Sequence, residues 1–237
     1  MSEKIHFYAP GSHDYISPTL LWSVARMTVN PDGAKWLETQ WVGGGDFQGL
    51  ALYTSVLDAA IAAEVLNKSD THSEWKVYPL SDLNVTEMMI SMKARQKEHY
   101  NVMIVFGYSL DDFRNLELYT DLYRSLQFPE SFPISDGLDP VNNKVILNFD
   151  TSNFEYMNDY LHEEFSNYCE SIEVLNAQPF DYIKEHANHA VESAQVTKTP
   201  VASSKSQLCV STYSIEKQMW IVSSSAIHGT KPDNNPH

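Results

Sequence analysis

The sequence predicts an α+β fold: a mixed sheet covered by helices, with antiparallel hairpins near both ends. Three observations predict it. Apolar runs of strand length alternate with longer segments of helical periodicity. A strong turn signal, Asn30-Pro31-Asp32-Gly33, joins two strand-like runs near the N-terminus. A Ser-x-x-acid pattern, which opens helices, follows an apolar run three times: Ser55 with Asp58, Ser109 with Asp112, and Ser152 with Glu155.

The elements follow in order. Lys4 to Tyr8 reads as a short strand ended by Pro10-Gly11. Ser17 to Val29 is ambiguous, since Leu20, Leu21, Val24 and Met27 have helical spacing while Trp22, Val24 and Val29 suit a strand. Lys35 to Val42, with Trp36 and Trp41, favours a strand that pairs as a hairpin with Leu50-Ala51-Leu52-Tyr53 across the Gly43-Gly44-Gly45-Asp46 loop. Ser55 then caps an alanine-rich helix to about Leu66, with the Asp58 carboxylate reaching back into the first turn. Trp75 to Tyr78 is a strand closed by Pro79.

Val85, Met88, Met89 and Met92 mark one face of the next helix, in which methionine acts as core filler. Asn101 to Gly107 is a buried strand. Leu110, Phe113, Leu116, Leu122 and Leu126 then predict an amphipathic helix, broken by Pro129, Pro133 and Asp136-Gly137 into a loop long enough to suspect of function. Lys144 to Phe149 is a strand. A helix from Ser152 should bury Phe154, Met157, Leu161, Phe165 and Tyr168, and another from Pro179 should bury Phe180, Ile183, Ala187, Ala190 and Val191. After a polar linker, Gln195 to Ser206, a hairpin at Gln207–Tyr213 and Met219–Ser223 closes the chain. The expected organisation is one globular domain over residues 1–222, with a subdivision near 110–140 as the alternative and a disordered tail at 223–237.

Composition narrows the function. Hydrophobic residues at 43% and aromatic residues at 12% are those of a globular chain. No apolar run approaches the roughly 20 residues that span a bilayer, and the N-terminal stretch carries no secretory signal, so the expected location is cytoplasmic. Cys169 and Cys209 are expected as free thiols. The net charge of −15 is uneven: residues 111–194 hold 17 acids and 4 bases, whereas residues 1–110 hold 12 and 8. That acidity argues against nucleic acid or anionic membrane as a partner, because like charge repels. It fits either solvated helix faces or a docking surface for a basic protein.

No enzyme motif survives inspection. The glycine cluster precedes a strand and lacks the lysine of a phosphate-binding loop. His186 and His189 share a helix face with Glu185 and Glu192 near them, but no HExxH motif is present and ion pairing explains the arrangement. His13-Asp14 with Tyr15 offers an acid–base pair without further context. Asn67-Lys68-Ser69 and Asn84-Val85-Thr86 match glycosylation sequons, which carry no weight in a cytoplasmic chain. Five tryptophans and thirteen tyrosines are more than a core strictly needs; most read as core or strand packing, and Trp and Tyr are also typical interface anchors.

Within residues 43–83, GLALYTSVLDAAIAAEVL followed by WKVYPLSDL resembles small bacterial α+β proteins of the serine-sensitivity type and immunity proteins of secreted-toxin systems. The resemblance brings no functional residues with it. The expected function is a non-enzymatic, protein-binding one: a bacterial immunity protein that neutralises a toxin by occlusion, without cofactor or metal. The basic partner is expected to meet Asp111, Asp112, Glu117 and Asp121, or Glu163, Glu164 and Glu170. The alternatives are a small-molecule hydrolase using His13 or the His186/His189 helix, and a self-associating adaptor or structural subunit.

Overall fold

A computed structural model describes residues 5–11, 15–43, 48–70, 73–95, 99–110, 115–117, 123–129, 145–147, 152–161, 167–196 and 209–226. The chain forms β1 (Ile5–His6), β2 (Tyr15–Ile16), β3 (Trp22–Val29), β4 (Lys35–Thr39), β5 (Trp41–Val42), β6 (Gly49–Tyr53), α1 (Val56–Ser69) and β7 (Trp75–Pro79). It continues with α2 (Val85–Arg95), β8 (His99–Val105), β9 (Tyr108–Leu110), β10 (Asn115–Glu117), β11 (Tyr123–Pro129), β12 (Val145–Ile146), α3 (Ser152–Leu161) and α4 (Tyr168–Asn176). Helix α5 (Phe180–Glu192) and strands β13 (Gln195–Val196), β14 (Cys209–Ser214) and β15 (Met219–Ala226) complete it.

The architecture is α+β, with parallel and antiparallel pairs in one main sheet of order β1-β4-β3-β6-β8-β11; β7 joins β3 and β5 joins β6. The turn at Asn30 forms as the sequence requires. Gly33 takes φ 85°, its N–H reaches the Asn30 carbonyl at 2.8 Å, and the β3–β4 hairpin follows. The β5–β6 hairpin across the glycine cluster also forms, pairing Trp41 with Leu50 and Val42 with Gly49. The ambiguous segment before it is a strand, because β3 has partners along both edges, β4 and β6 on one side and β7 on the other. A second sheet, β13-β10-β9-β14-β15, and a two-stranded pair, β12-β2, complete the strands.

The main sheet separates two cores. Leu50, Leu52, Val102 and Ile104 point toward α2 with its Met88, Met89 and Met92, and toward Phe154, Met157, Tyr168 and Ile172. Ala51, Tyr53, Met103 and Val105 point the other way, toward α1 and α5. Helix α1 is buried on nearly every side, because α5 covers its outer face with Ile183, Ala187, Ala190 and Val191. A helix apolar all round is a buried helix, and its alanines let a second helix approach closely. At its far end Asn67 accepts from the Trp75 N–H at 2.7 Å and donates to the Trp75 carbonyl at 3.0 Å, locking α1 to β7. This Asn67 of the first sequon is therefore fully used inside the fold.

Several expectations are corrected. Where residues 109–126 are described they are strand and not an amphipathic helix: Ser109 and Leu110 lie in β9, Leu116 in β10 and Leu126 in β11, while Phe113 and Leu122 lie outside the described residues. Strand β11 pairs antiparallel with β8 from Tyr123↔Val105 to Pro129↔His99, and that long ladder outweighs local helical spacing. The helix from Ser152 ends at Leu161, and Tyr168 belongs to a new helix whose cap is Asn167. Phe180 is 45% exposed rather than buried. Gln195–Val196 pairs with β10 instead of belonging to a linker, and β15 extends to Ala226, past the expected start of a tail. The proline-rich loop after Pro129, and the tail beyond Ala226, lie outside the described residues.

Gly49 stands where β6 passes β8. A Cβ there would sit 2.8 Å from the Asn101 carbonyl carbon and 2.9 Å from the Asn101 Cβ, and the backbone in its way belongs to a buried strand. Gly49→Ala is expected to destabilise the fold by about 2–3 kcal/mol, measured as a fall in the denaturant midpoint at unchanged slope.

Candidate functional site

Two parts of the molecule carry more than packing: the helical corner made by α4 and α5, and a polar cluster where strands β6 and β8 end. The corner is built by a tight turn. The Ala177 N–H bonds the Glu173 carbonyl at 3.2 Å, the Gln178 N–H bonds Leu175 at 3.0 Å, and Pro179 starts α5. Asn167 opens α4 by accepting from the Glu170 N–H at 3.2 Å. These local bonds fix which side chains face inward: Tyr168 and Ile172 from α4, and Ile183, His186, Ala187, Ala190 and Val191 from α5.

What is left outside is both apolar and acidic. Val174 is 62% exposed, Phe180 45% and Tyr182 41%. Around them Glu170, Glu173, Asp181 and Glu185 are exposed. From Tyr168 to Glu192 the two helices carry five acids against the single base Lys184, which leans toward Glu64 at 4.0 Å and Glu74 at 3.8 Å. Of the eleven large hydrophobic side chains exposed among the described residues, three stand on these two short helices.

Of the acids nominated from sequence, Glu170 is on this corner, in the first turn of α4. Glu117 lies in strand β10, so no helix groups it with its neighbours. Asp111, Asp112, Asp121, Glu163 and Glu164 fall outside the described residues, as do His13 and Asp14. His186 is buried with Nδ1 unpartnered; its ring meets Tyr182 at 4.5 Å and His189 at 6.1 Å between centroids. Among the described residues no three His, Cys, Asp or Glu side chains are grouped to hold a metal ion.

The second cluster centres on Asp58. Ser55 does cap α1, accepting from the Asp58 N–H at 3.4 Å, but the Asp58 carboxylate does not reach back. It is 1% exposed, and neither oxygen has a hydrogen-bond partner. The expected capping acid is instead an isolated core carboxyl, and burial pushes its pKa up to about 7. Three phenols surround the region, each with its proton committed elsewhere. Tyr108 donates to the Asp58 backbone carbonyl at 2.5 Å, Tyr53 to Gln40 Oε1 at 2.8 Å, and Tyr168 to the Phe106 carbonyl. Burial raises the pKa of Tyr108 and Tyr168 well above the usual phenol value, with the Asp58 charge adding to both.

Helix α4 closes this end of the sheet. Its last residue, Asn176, accepts from the Val56 N–H at 2.8 Å and from Trp22 Nε1 at 3.1 Å, and donates to the Thr54 carbonyl at 3.0 Å. The ends of adjacent parallel strands and the start of the following helix are where open α/β sheets bind ligands. Here protein side chains occupy that position. Sequence reasoning missed Asn176 because its partners lie more than a hundred residues away, and it misread Asp58 because the capping pattern is satisfied by the serine alone.

Comparison with protein families, with curated proteins and with solved structures finds no match to this chain. Among the described residues no helix is long and apolar enough to cross a membrane.

The Asp58 carboxyl makes stability depend on pH with a definite sign. Its folded pKa lies above the unfolded one, so the folded state holds the proton more tightly and stability falls as pH rises from the unfolded value toward the folded one. Asp58→Asn removes this loss. Its advantage over the wild type is expected to grow by about 3 kcal/mol between about pH 5 and about pH 8, read from denaturant titrations of both proteins across that range.

Proposed function

We propose that this chain is a non-enzymatic protein-binding protein whose α4–α5 corner captures a basic protein. This is the manner in which an immunity protein occludes a toxin. The observation that carries the reading is the set of three apolar side chains, Val174, Phe180 and Tyr182, each more than 40% exposed, among the carboxylates of Glu170, Glu173, Asp181 and Glu185. Aromatic anchors supply most of the affinity at interfaces of this kind, and charge complementarity speeds the encounter and excludes wrong partners. The excess of acids over residues 111–194 extends the negative field beyond the corner.

The reading shifts the interface relative to the sequence expectation. Glu170 stays, joined by Glu173, Asp181 and Glu185. Placement of these groups on two short helices joined by a tight turn holds them in place before association, which lowers its entropic cost.

The test is capture from lysate of the native source with tagged wild-type protein, at low and at high salt. Two variants accompany it: Glu170→Lys/Glu173→Lys/Asp181→Lys/Glu185→Lys and Phe180→Ala/Tyr182→Ala. One stoichiometric basic protein is expected, with association weakened by salt and abolished by charge reversal. The aromatic double variant is expected to weaken it by about 2 kcal/mol or more, roughly 30-fold in Kd. Co-expression should also relieve growth arrest caused by that protein. Undiminished capture by both variants, or a captured partner that is itself acidic, would overturn the assignment.

A further inference from the structure

We propose that Asp58 is a proton-operated latch for α4: with the carboxyl neutral, α4 seats across the ends of β6 and β8, and with it ionised, α4 lifts to admit water to the charge. A buried carboxylate is tolerated when donors or a cation meet it. Asp58 has neither: both oxygens are unpartnered, and the Tyr53, Tyr108 and Tyr168 hydroxyls donate their hydrogen bonds to Gln40 Oε1, the Asp58 backbone carbonyl and the Phe106 carbonyl respectively.

The charged groups on the packed elements do not relieve it. Tyr108 of β9 and Tyr168 of α4 lie within electrostatic range of the carboxyl; Tyr53 of β6 adjoins Tyr108, and Cys169 adjoins Tyr168. Each of these would add negative charge if it titrated. Glu170 and Glu173 of α4 are exposed acids. Helix α5 turns Ala187, Ala190 and Val191 into the shared core; its Lys184 lies at Glu64, well along α1 from Asp58, and His186 is buried beside Tyr182 and His189. From β3, Arg26 is held by Glu38 and by Asp70, the residue that ends α1, and Lys76 of β7 pairs with Glu74.

Ionisation therefore demands water, and the elements around Asp58 differ in what it takes to move them. Strands β6 and β8 are buried on both faces, and α1 is enclosed by the sheet and α5. Helix α4 has nine residues, of which only Tyr168 and Ile172 are buried. Cys169 and Leu175 are partly buried against the two cores, and much of the other anchorage is polar: the Asn176 bonds to Val56, Trp22 and Thr54, the Tyr168 hydroxyl bond to Phe106, and the Tyr168 N–H bond to Asn158 at 2.5 Å. Such bonds are readily exchanged for bonds to water. Asn176 grips α1 two residues from Asp58, and Tyr168 lies within electrostatic range of the same carboxyl. Lifting α4 is the smallest movement that wets the charge.

Hydrogen exchange followed by mass spectrometry on the full chain tests this. Once corrected for intrinsic exchange, protection of the α4 amides is expected to fall about tenfold or more between about pH 5 and about pH 7, because each pH unit between the carboxyl's ordinary value and its raised seated value favours the open, wetted form tenfold, and to level off above that. The β8 amides should hold. In Asp58→Asn, α4 should stay protected throughout. Should that variant not fold, the infrared carbonyl band of the protonated buried carboxyl in wild-type protein takes its place; the band should be lost at the pH where the loosening of α4 levels off. Constant α4 protection in the wild type, an equal fall in Asp58→Asn, or loosening that continues to grow after the band is lost would each overturn the latch.

Discussion

Strand β6 is the constraint on which the remainder of the fold depends. All five of its residues are buried, and it has neighbours on both edges, β3 and β5 antiparallel and β8 parallel. It is the seam at which the antiparallel N-terminal hairpins meet the parallel part of the sheet. Leu50 and Leu52 commit one face to the α2 core, while Ala51 and Tyr53 commit the other to α1. A slip of one residue would exchange these faces and set Tyr53 against methionines instead of Gln40. The close approach to Asn101 that Gly49 permits fixes the parallel register at its start. The capped helix at its end fixes where the chain turns back.

The parts legible in the sequence are those in which local signals and tertiary demands agree. The Asn30 turn, the β5–β6 hairpin, the alanine-rich helix, the Met88/Met89/Met92 face and the β14–β15 hairpin all follow from spacing and turn chemistry alone. Agreement fails from Ser109 to Leu126, where helical spacing of leucines and a serine cap were overruled by pairing with β8 and β14. Strand β8 buries Val102, Met103, Ile104 and Val105 almost completely. It recruits an antiparallel neighbour on its second edge, and β11 fills it. Helix α4 escaped for the opposite reason. Its period is short, its outer face bears Val174, and its cap is Asn167, which departs from the Ser-x-x-acid pattern.

The candidate site was legible only in part. An acidic surface was expected from composition, and Glu170 belongs to it. Phe180, however, has the spacing of a core residue in α5 and faces out, since Ile183 and Ala187 already fill the α1–α5 contact. No sequence signal distinguishes an apolar residue that a neighbouring helix will cover from one that it will not. Asp58 presents the same difficulty in reverse. A carboxylate three residues after a capping serine is ordinarily solvated at a helix start, and here α4, Tyr108 and the sheet close over it.

The two unusual features of the molecule meet on one helix. The inner face of α4 holds Tyr168 and Asn176 against the strand ends, and its outer face carries Glu170, Glu173 and Val174. Any partner that grips the outer face in the seated position stabilises the state in which Asp58 is neutral. Linkage then requires the reciprocal effect: protonation of Asp58 strengthens such a partner's binding by the same factor that binding strengthens the proton's. Two acidities thus act in opposite senses. Exposed carboxylates would draw the proposed basic partner in their ionised form, while the buried one supports the surface in its protonated form.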